Sequence, residues 1–179
     1  PDTERDSSTP PRLGLKWPND LWLLDAGLDG PGRKLGGVLV ETAPVGDRRV
    51  CVVGVGLNVA PSRFEGLSQG YACLQELNPA DTPAAVLARV AVPLAQALTR
   101  FEAEGFAGVA DRYARRDVLQ GRTVQSPLRQ APDGVLTGQV LGVDARGALR
   151  VQPPDGPEVA VNSGEVRVRF EPVMHERNP

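Results

Sequence analysis

From Leu13 onward the apolar positions fall into four short runs, LGLKW (13–17), DLWLLD (20–25), KLGGVLVET (34–42) and RRVCVVGVGLNV (48–59). Turn residues separate them, including Asp29-Gly30-Pro31-Gly32 and Pro44-Val45-Gly46-Asp47, which predicts strands joined by short links and therefore antiparallel neighbours. The stretch Val50 to Val55 is almost unbroken in β-branched and small apolar residues, so it predicts a strand covered on both faces. The cover is expected from a helix that opens with Thr82 as N-cap and Pro83 in its first position. Val86, Leu87, Val90, Leu94, Leu98 and Phe101 then recur at three- and four-residue spacing and make one apolar face. Pro93 falls inside that face and predicts a kink or a split, because it removes an intrahelical donor and clashes with the preceding turn; Gly105 ends the element. A second short helix is expected over 108–116, with Val109 and Tyr113 on one side. After Gly121 the period drops to two: GVLTGQVLGVD, ALRVQP, EVAVNS and VRVRF alternate with turn clusters such as Pro132-Asp133-Gly134 and Asn162-Ser163-Gly164. Regular short strands over some 50 residues read as a small barrel or sandwich.

Composition changes this picture little, but it removes several functions. Of the 179 residues, 41% are hydrophobic, enough for a core, and the net charge of −2 gives no basic excess of the kind that neutralises a phosphate backbone, so no DNA binding is expected. No apolar run is expected to approach the roughly 20 residues that span a bilayer, and PDTERDSSTPPR lacks the layout of a signal peptide; a cytoplasmic protein without membrane attachment is expected. Residues 1–12 read as a disordered tail and 172–179 as another. The two cysteines, Cys51 and Cys73, read as small core residues. A single histidine, His175, excludes a Ser-His-Asp triad and a multi-histidine metal site.

Three segments carry candidate chemistry: Lys16-Trp17-Pro18-Asn19-Asp20, then Lys34-Leu35-Gly36-Gly37-Val38-Leu39-Val40-Glu41, then Gly54-Val55-Gly56-Leu57-Asn58-Val59. In this order and spacing, followed by a β module that ends Ser163-Gly164-Glu165-Val166, they resemble the biotin protein ligase signature, and the resemblance covers residues 13 to 169. It implies an α+β fold with a mixed sheet and helices like those of class II aminoacyl-tRNA synthetases, here incomplete, over 13–119, and an SH3-like barrel over 120–171. It also implies a two-step reaction: biotin and ATP form biotinyl-5′-adenylate, and the biotinyl group passes to a lysine of a biotin carboxyl carrier protein, a subunit of acetyl-CoA carboxylase.

The residue types suit that chemistry. Adenylation brings together a carboxylate and a phosphate, so a fixed cation at the junction lowers repulsion and stabilises the growing charge. Lys34 matches the family's catalytic lysine; taken alone, a lysine beside a turn is a solvated surface group. Gly36 and Gly37 would let a ligand approach the strand backbone, or else mark a β-bulge. Asp20 is a candidate for magnesium binding or for orienting and deprotonating the incoming amine, against a plain turn-forming role. Lys16 and Asn19 are assigned to the biotin and adenylate site, Lys16 having the alternative of a charged strand edge. Trp17 reads as a core anchor. Asn58 offers an acceptor and donors to the edge of adenine, or else closes a strand. Glu165 and Arg169 match barrel residues that face the nucleotide in the family, though rim charges are usually solvated. The Gly54-Val55-Gly56 run is no dinucleotide fingerprint, since Val59 stands where the third glycine belongs.

The family also carries, upstream of Lys16, a glycine- and arginine-rich loop that closes over biotin and the phosphates. Residues 1–12 hold only Arg5 and Arg12 as basic groups and no glycine. The chain is therefore expected to be an incomplete, weakly active or inactive fragment with an uncovered sheet face or edge, and a homodimer through that edge stays open. A lipoate ligase-like enzyme and a catalytically dead module that binds the carrier protein are the alternatives.

Overall fold

The computed structural model describes residues 13–25, 32–62, 70–127, 134–162, 164 and 166–168. The chain divides into two compact units, Pro1–Val118 and Leu119–Pro179. The sequence-predicted tails, with Glu165, Arg169 and His175, lie outside the described residues.

In the first unit β1 (Leu13–Lys16), β2 (Asp20–Leu24), β3 (Gly32–Val45) and β4 (Arg48–Leu57) form one antiparallel sheet in the order β1-β2-β3-β4. A Trp17–Pro18 cis peptide lies in the β1–β2 turn. Leu23, Leu35 and Ala72 make a buried cluster, with Leu21, Leu74 and Leu77 packed against it, and Trp17 is buried as an anchor should be. Residues 116–118 add to the outer side of β1, where the Leu15 amide donates to the Arg116 carbonyl and the Val118 amide to the Leu15 carbonyl.

Helix α1 (Pro83–Glu104) begins as expected: the Thr82 hydroxyl accepts from the Ala85 amide and Pro83 takes the first position. It does not split at Pro93, and it does not cover β4. Val52 is 58% exposed, Val50 is also exposed, and Val86 is the helix's one buried residue. Cys51, expected in the core, is exposed for the same reason, whereas Cys73 is buried. Periodicity locates an apolar face but says nothing about what meets it. The expectation that no apolar run is long enough to span a bilayer does not hold for α1, which Arg89 interrupts: at 22 residues, with a stretch of mean hydropathy 1.3, the helix is by length and composition alone sufficient to cross a membrane. The second helix is shorter than predicted, a 3-10 turn Phe106–Gly108 followed by α2 (Ala110–Ala114).

This exposure has a measurable consequence. Val86 is 4% exposed and its neighbour Leu87 68%. Val86→Ala should therefore lower the stability of the unit by about 2 kcal/mol, and Leu87→Ala should change it by less than about 0.5 kcal/mol. Urea unfolding followed by tryptophan fluorescence reads this unit alone, since both tryptophans, Trp17 and Trp22, lie in it.

The second unit is an SH3-like barrel module of five antiparallel strands, β5 (Thr123–Pro127), β6 (Val135–Val143), β7 (Leu149–Gln152), β8 (Val159–Val161) and β9 (Arg167–Val168), in the order β8-β7-β6-β5-β9. Val124, Val140, Leu149, Val151, Val161 and Val166 fill its interior. β5 was not anticipated: Thr-Val-Gln-Ser-Pro has one apolar side chain and a terminal proline, so its strand character comes from the partners it finds in β6 and β9.

Candidate active site

All three sequence segments meet on the sheet, with β3 between β2 and β4. β2 begins at Asp20, directly opposite Gly37 of β3, and the ladder slips by one residue between Leu21 and Trp22. Leu35 is left over as a bulge, and its side chain is buried in the core cluster. A bulge does occur, at Leu35 rather than at Gly36-Gly37, which are both paired with β2, and it adjusts the register at which Lys34 leaves the sheet.

The Lys34 ammonium sits 2.7 Å from Asp20 Oδ1, and the Lys16 ammonium 3.8 Å from Asp20 Oδ2. One carboxylate therefore faces two cations. The Asp20 side chain is 14% exposed and that of Lys34 43%, so Lys34 has access to solvent while its partner is sheltered. Lys16 is 4% exposed and lies 5.6 Å from the centre of the Trp22 ring; it does not serve as a charged strand edge. The Trp22 indole N–H is buried without an acceptor.

The two glycines divide their roles. A Cβ on Gly36 would lie 2.2 Å from the Gly56 carbonyl oxygen, so this glycine is required by strand packing. A Cβ on Gly37 would meet Asn19 O at 3.4 Å, Asp20 Oδ1 at 3.5 Å and Lys34 Cε at 3.8 Å. The bare side of Gly37 therefore opens on the Lys34–Asp20 pair, as ligand approach requires. Asn19 is tied down: its Nδ2 donates to the Val38 carbonyl and its own carbonyl accepts from the Val38 amide.

Asn58 directly follows β4, as the strand-closing alternative expects. Its Nδ2 donates to the carbonyls of Lys34 and Ala72, both at 3.1 Å, leaving Oδ1 alone to face a ligand. Paired donor-and-acceptor recognition of adenine by this side chain is therefore not available in this arrangement. For a protein-held magnesium ion the donor set fits poorly. Both Asp20 oxygens face ammonium groups, and among the described residues no three acidic, histidine or cysteine side chains cluster.

Sequence reasoning passed over Arg33. Its guanidinium donates to Asp25, Glu76 and the Tyr71 carbonyl. Hydrogen bonding from Arg33, the largest effect, holds the Glu76 carboxyl below the ordinary glutamate range; burial opposes it, and the Cys73 amide adds a smaller lowering. A depressed carboxylate contributes stability above its unfolded pKa and loses it as pH falls through the folded one. The stability gap between the natural chain and Glu76→Gln, read from urea midpoints, should therefore be full at neutral pH and close well below about pH 4.

Residues 121–169 match the family described as Biotin protein ligase C terminal domain. The chain is 36% identical over 166 residues to the "Bifunctional ligase/repressor BirA" of Escherichia coli (strain K12), and 34% identical over 163 residues to the protein of that name from Salmonella typhimurium; each alignment covers 86% of this chain and 48% of the relative. It thus spans about half the length of these relatives. The crystal structure of biotin protein ligase from Aquifex aeolicus superposes with a TM-score of 0.67 at 24% identity, covering 89% of this chain and 65% of that one, which establishes the shared fold.

Proposed function

We propose that this chain, which resembles the C-terminal part of biotin protein ligases, carries the cationic half of an adenylate-forming site and the barrel of such an enzyme. The observation that carries the reading is the Lys34 ammonium held by Asp20 beside the open face of Gly37. In the first step a biotin carboxylate oxygen bonds to the α-phosphorus of ATP and pyrophosphate leaves. Lys34 contacts the carboxylate and α-phosphate oxygens, offsetting their repulsion and the charge of the transition state. Lys16 adds positive charge behind it, and Asp20 keeps the Lys34 ammonium aimed at the junction until the anions arrive. Asn58 presents its free Oδ1 to the exocyclic amine of adenine. In the second step a neutral lysine amine of a biotin carboxyl carrier protein bonds to the acyl carbon, AMP leaves and the amine loses its proton; Asp20 is placed to orient that amine. Magnesium arrives with the ATP phosphates. A cytoplasmic location, where ATP is available, belongs to the same proposal.

The chain spans about half the length of these relatives, and it is expected to have little activity alone. The test is to join the chain to the unmatched half of such a relative on one polypeptide, to incubate it with biotin, ATP and a carrier domain, and to probe the carrier for biotin. Transfer that depends on ATP supports the reading. Tight carrier binding with no adenylate formed by that polypeptide would support a dead binding module instead.

A further inference from the structure

Arg33 and Lys34 are consecutive on β3, so their side chains leave opposite faces of the sheet. On the Lys34 face stands the candidate reacting cation. On the other, the Arg33 guanidinium makes five hydrogen bonds: to Asp25 Oδ1 at 2.8 Å and Oδ2 at 3.3 Å, to Glu76 Oε1 at 3.1 Å and Oε2 at 2.8 Å, and to the Tyr71 carbonyl at 2.9 Å. It therefore joins the end of β2, β3 and the segment 70–76. Its stem also lies on Gly70, where a Cβ would come within 3.0 Å of Arg33 Cγ.

That segment is what grips the Lys34 backbone. The Lys34 amide donates to the Gly70 carbonyl at 3.2 Å; the Lys34 carbonyl accepts from the Ala72 amide at 2.9 Å and from Asn58 Nδ2, which also donates to the Ala72 carbonyl. Both backbone polar groups of Lys34 thus depend on residues 70–72 staying in place. Glu76 closes the far end, since its Oε1 also accepts from the Cys73 amide. A lone exposed ion pair contributes little. A planar fork saturated by two carboxylates and a carbonyl is different, because moving any one partner misaligns the others.

We propose that Arg33, braced by Glu76 and Asp25, is a positioning residue for Lys34: it clamps the 70–76 segment onto β3 and thereby fixes the point from which the Lys34 stem reaches Asp20. The proposal rests on Lys34 being the reacting cation, and its test separates the two ideas. Backbone amide exchange is measured by NMR on the full chain and on Arg33→Lys and Glu76→Gln, conservative changes that keep charge or shape but cannot span all three partners. Exchange at the Lys34 and Ala72 amides should rise at least about tenfold, with the Leu23 amide unchanged. In the polypeptide that forms adenylate, Arg33→Lys should lower kcat about tenfold with KM for ATP held within about twofold, and should add little in a Lys34→Ala background. Unchanged exchange at Lys34 and Ala72 overturns the proposal. So does a rise spread evenly over the unit, or a full additional loss of kcat on top of Lys34→Ala. Raised local exchange in a protein whose activity ignores Lys34→Ala keeps the clamp as a structural fact but overturns the positioning role along with the function assigned to Lys34.

Discussion

Lys34→Ala is expected to slow biotinyl-adenylate formation by about 10²–10³-fold, the scale seen when one preorganised donor to a developing charge is removed. The effect should appear in kcat, because the ammonium matters most when carboxylate and phosphate oxygens share it in the transition state. Stability should change by less than about 1 kcal/mol: the Lys34 side chain is 43% exposed, and Asp20 keeps its second cation, Lys16, at 3.8 Å. The measurements are pyrophosphate release from biotin and ATP, and the urea midpoint of the same variant. Full turnover without this ammonium would remove the basis for the proposed function. Lys34→Arg should recover only part of the rate, because a planar guanidinium cannot place a point charge where the ammonium stands.

Gly36→Ala is expected to be the most damaging substitution of comparable size, costing about 3 kcal/mol or more. A Cβ there would sit 2.2 Å from the Gly56 carbonyl oxygen and 3.1 Å from Leu57 Cδ2. Relief would require the β3–β4 ladder to open, since the nearest atom is backbone and has no rotamer to escape into. Gly37→Ala is the control. Its closest contact would be an ordinary 3.4 Å, so the fold should persist while the added methyl stands in front of Lys34 and Asp20. Tryptophan fluorescence against urea, together with an adenylate assay, should place Gly36→Ala as a loss of stability and Gly37→Ala as a loss of activity. The reverse pattern would show that the two glycines have exchanged the roles assigned here.

A good deal of this was legible before any coordinates. The four strands of the first unit fell within a few residues of their observed bounds, because alternation and turn residues are local signals; Thr82, Pro83 and Gly105 marked α1 for the same reason. The motifs that carry the resemblance to biotin protein ligases also named Lys34, Asp20 and Lys16, which the fold brings together. What failed was non-local. β5 becomes a strand through β6 and β9, Val50 and Val52 stay exposed because α1 lies elsewhere, and Asn58 spends its donors on carbonyls 14 and 24 residues away.

The sequence by itself marked most of the strands and α1, and through the resemblance to biotin protein ligases singled out Lys34 and Asp20 as candidates, since alternation and motif spacing are local signals. Only the tertiary structure decided that Gly36 serves packing while Gly37 serves access, and that Arg33 reaches 43 residues along the chain to Glu76. Those outcomes depend on which backbone atoms approach across strands, and a register shifted by one bulge at Leu35 alters them without changing a single local preference.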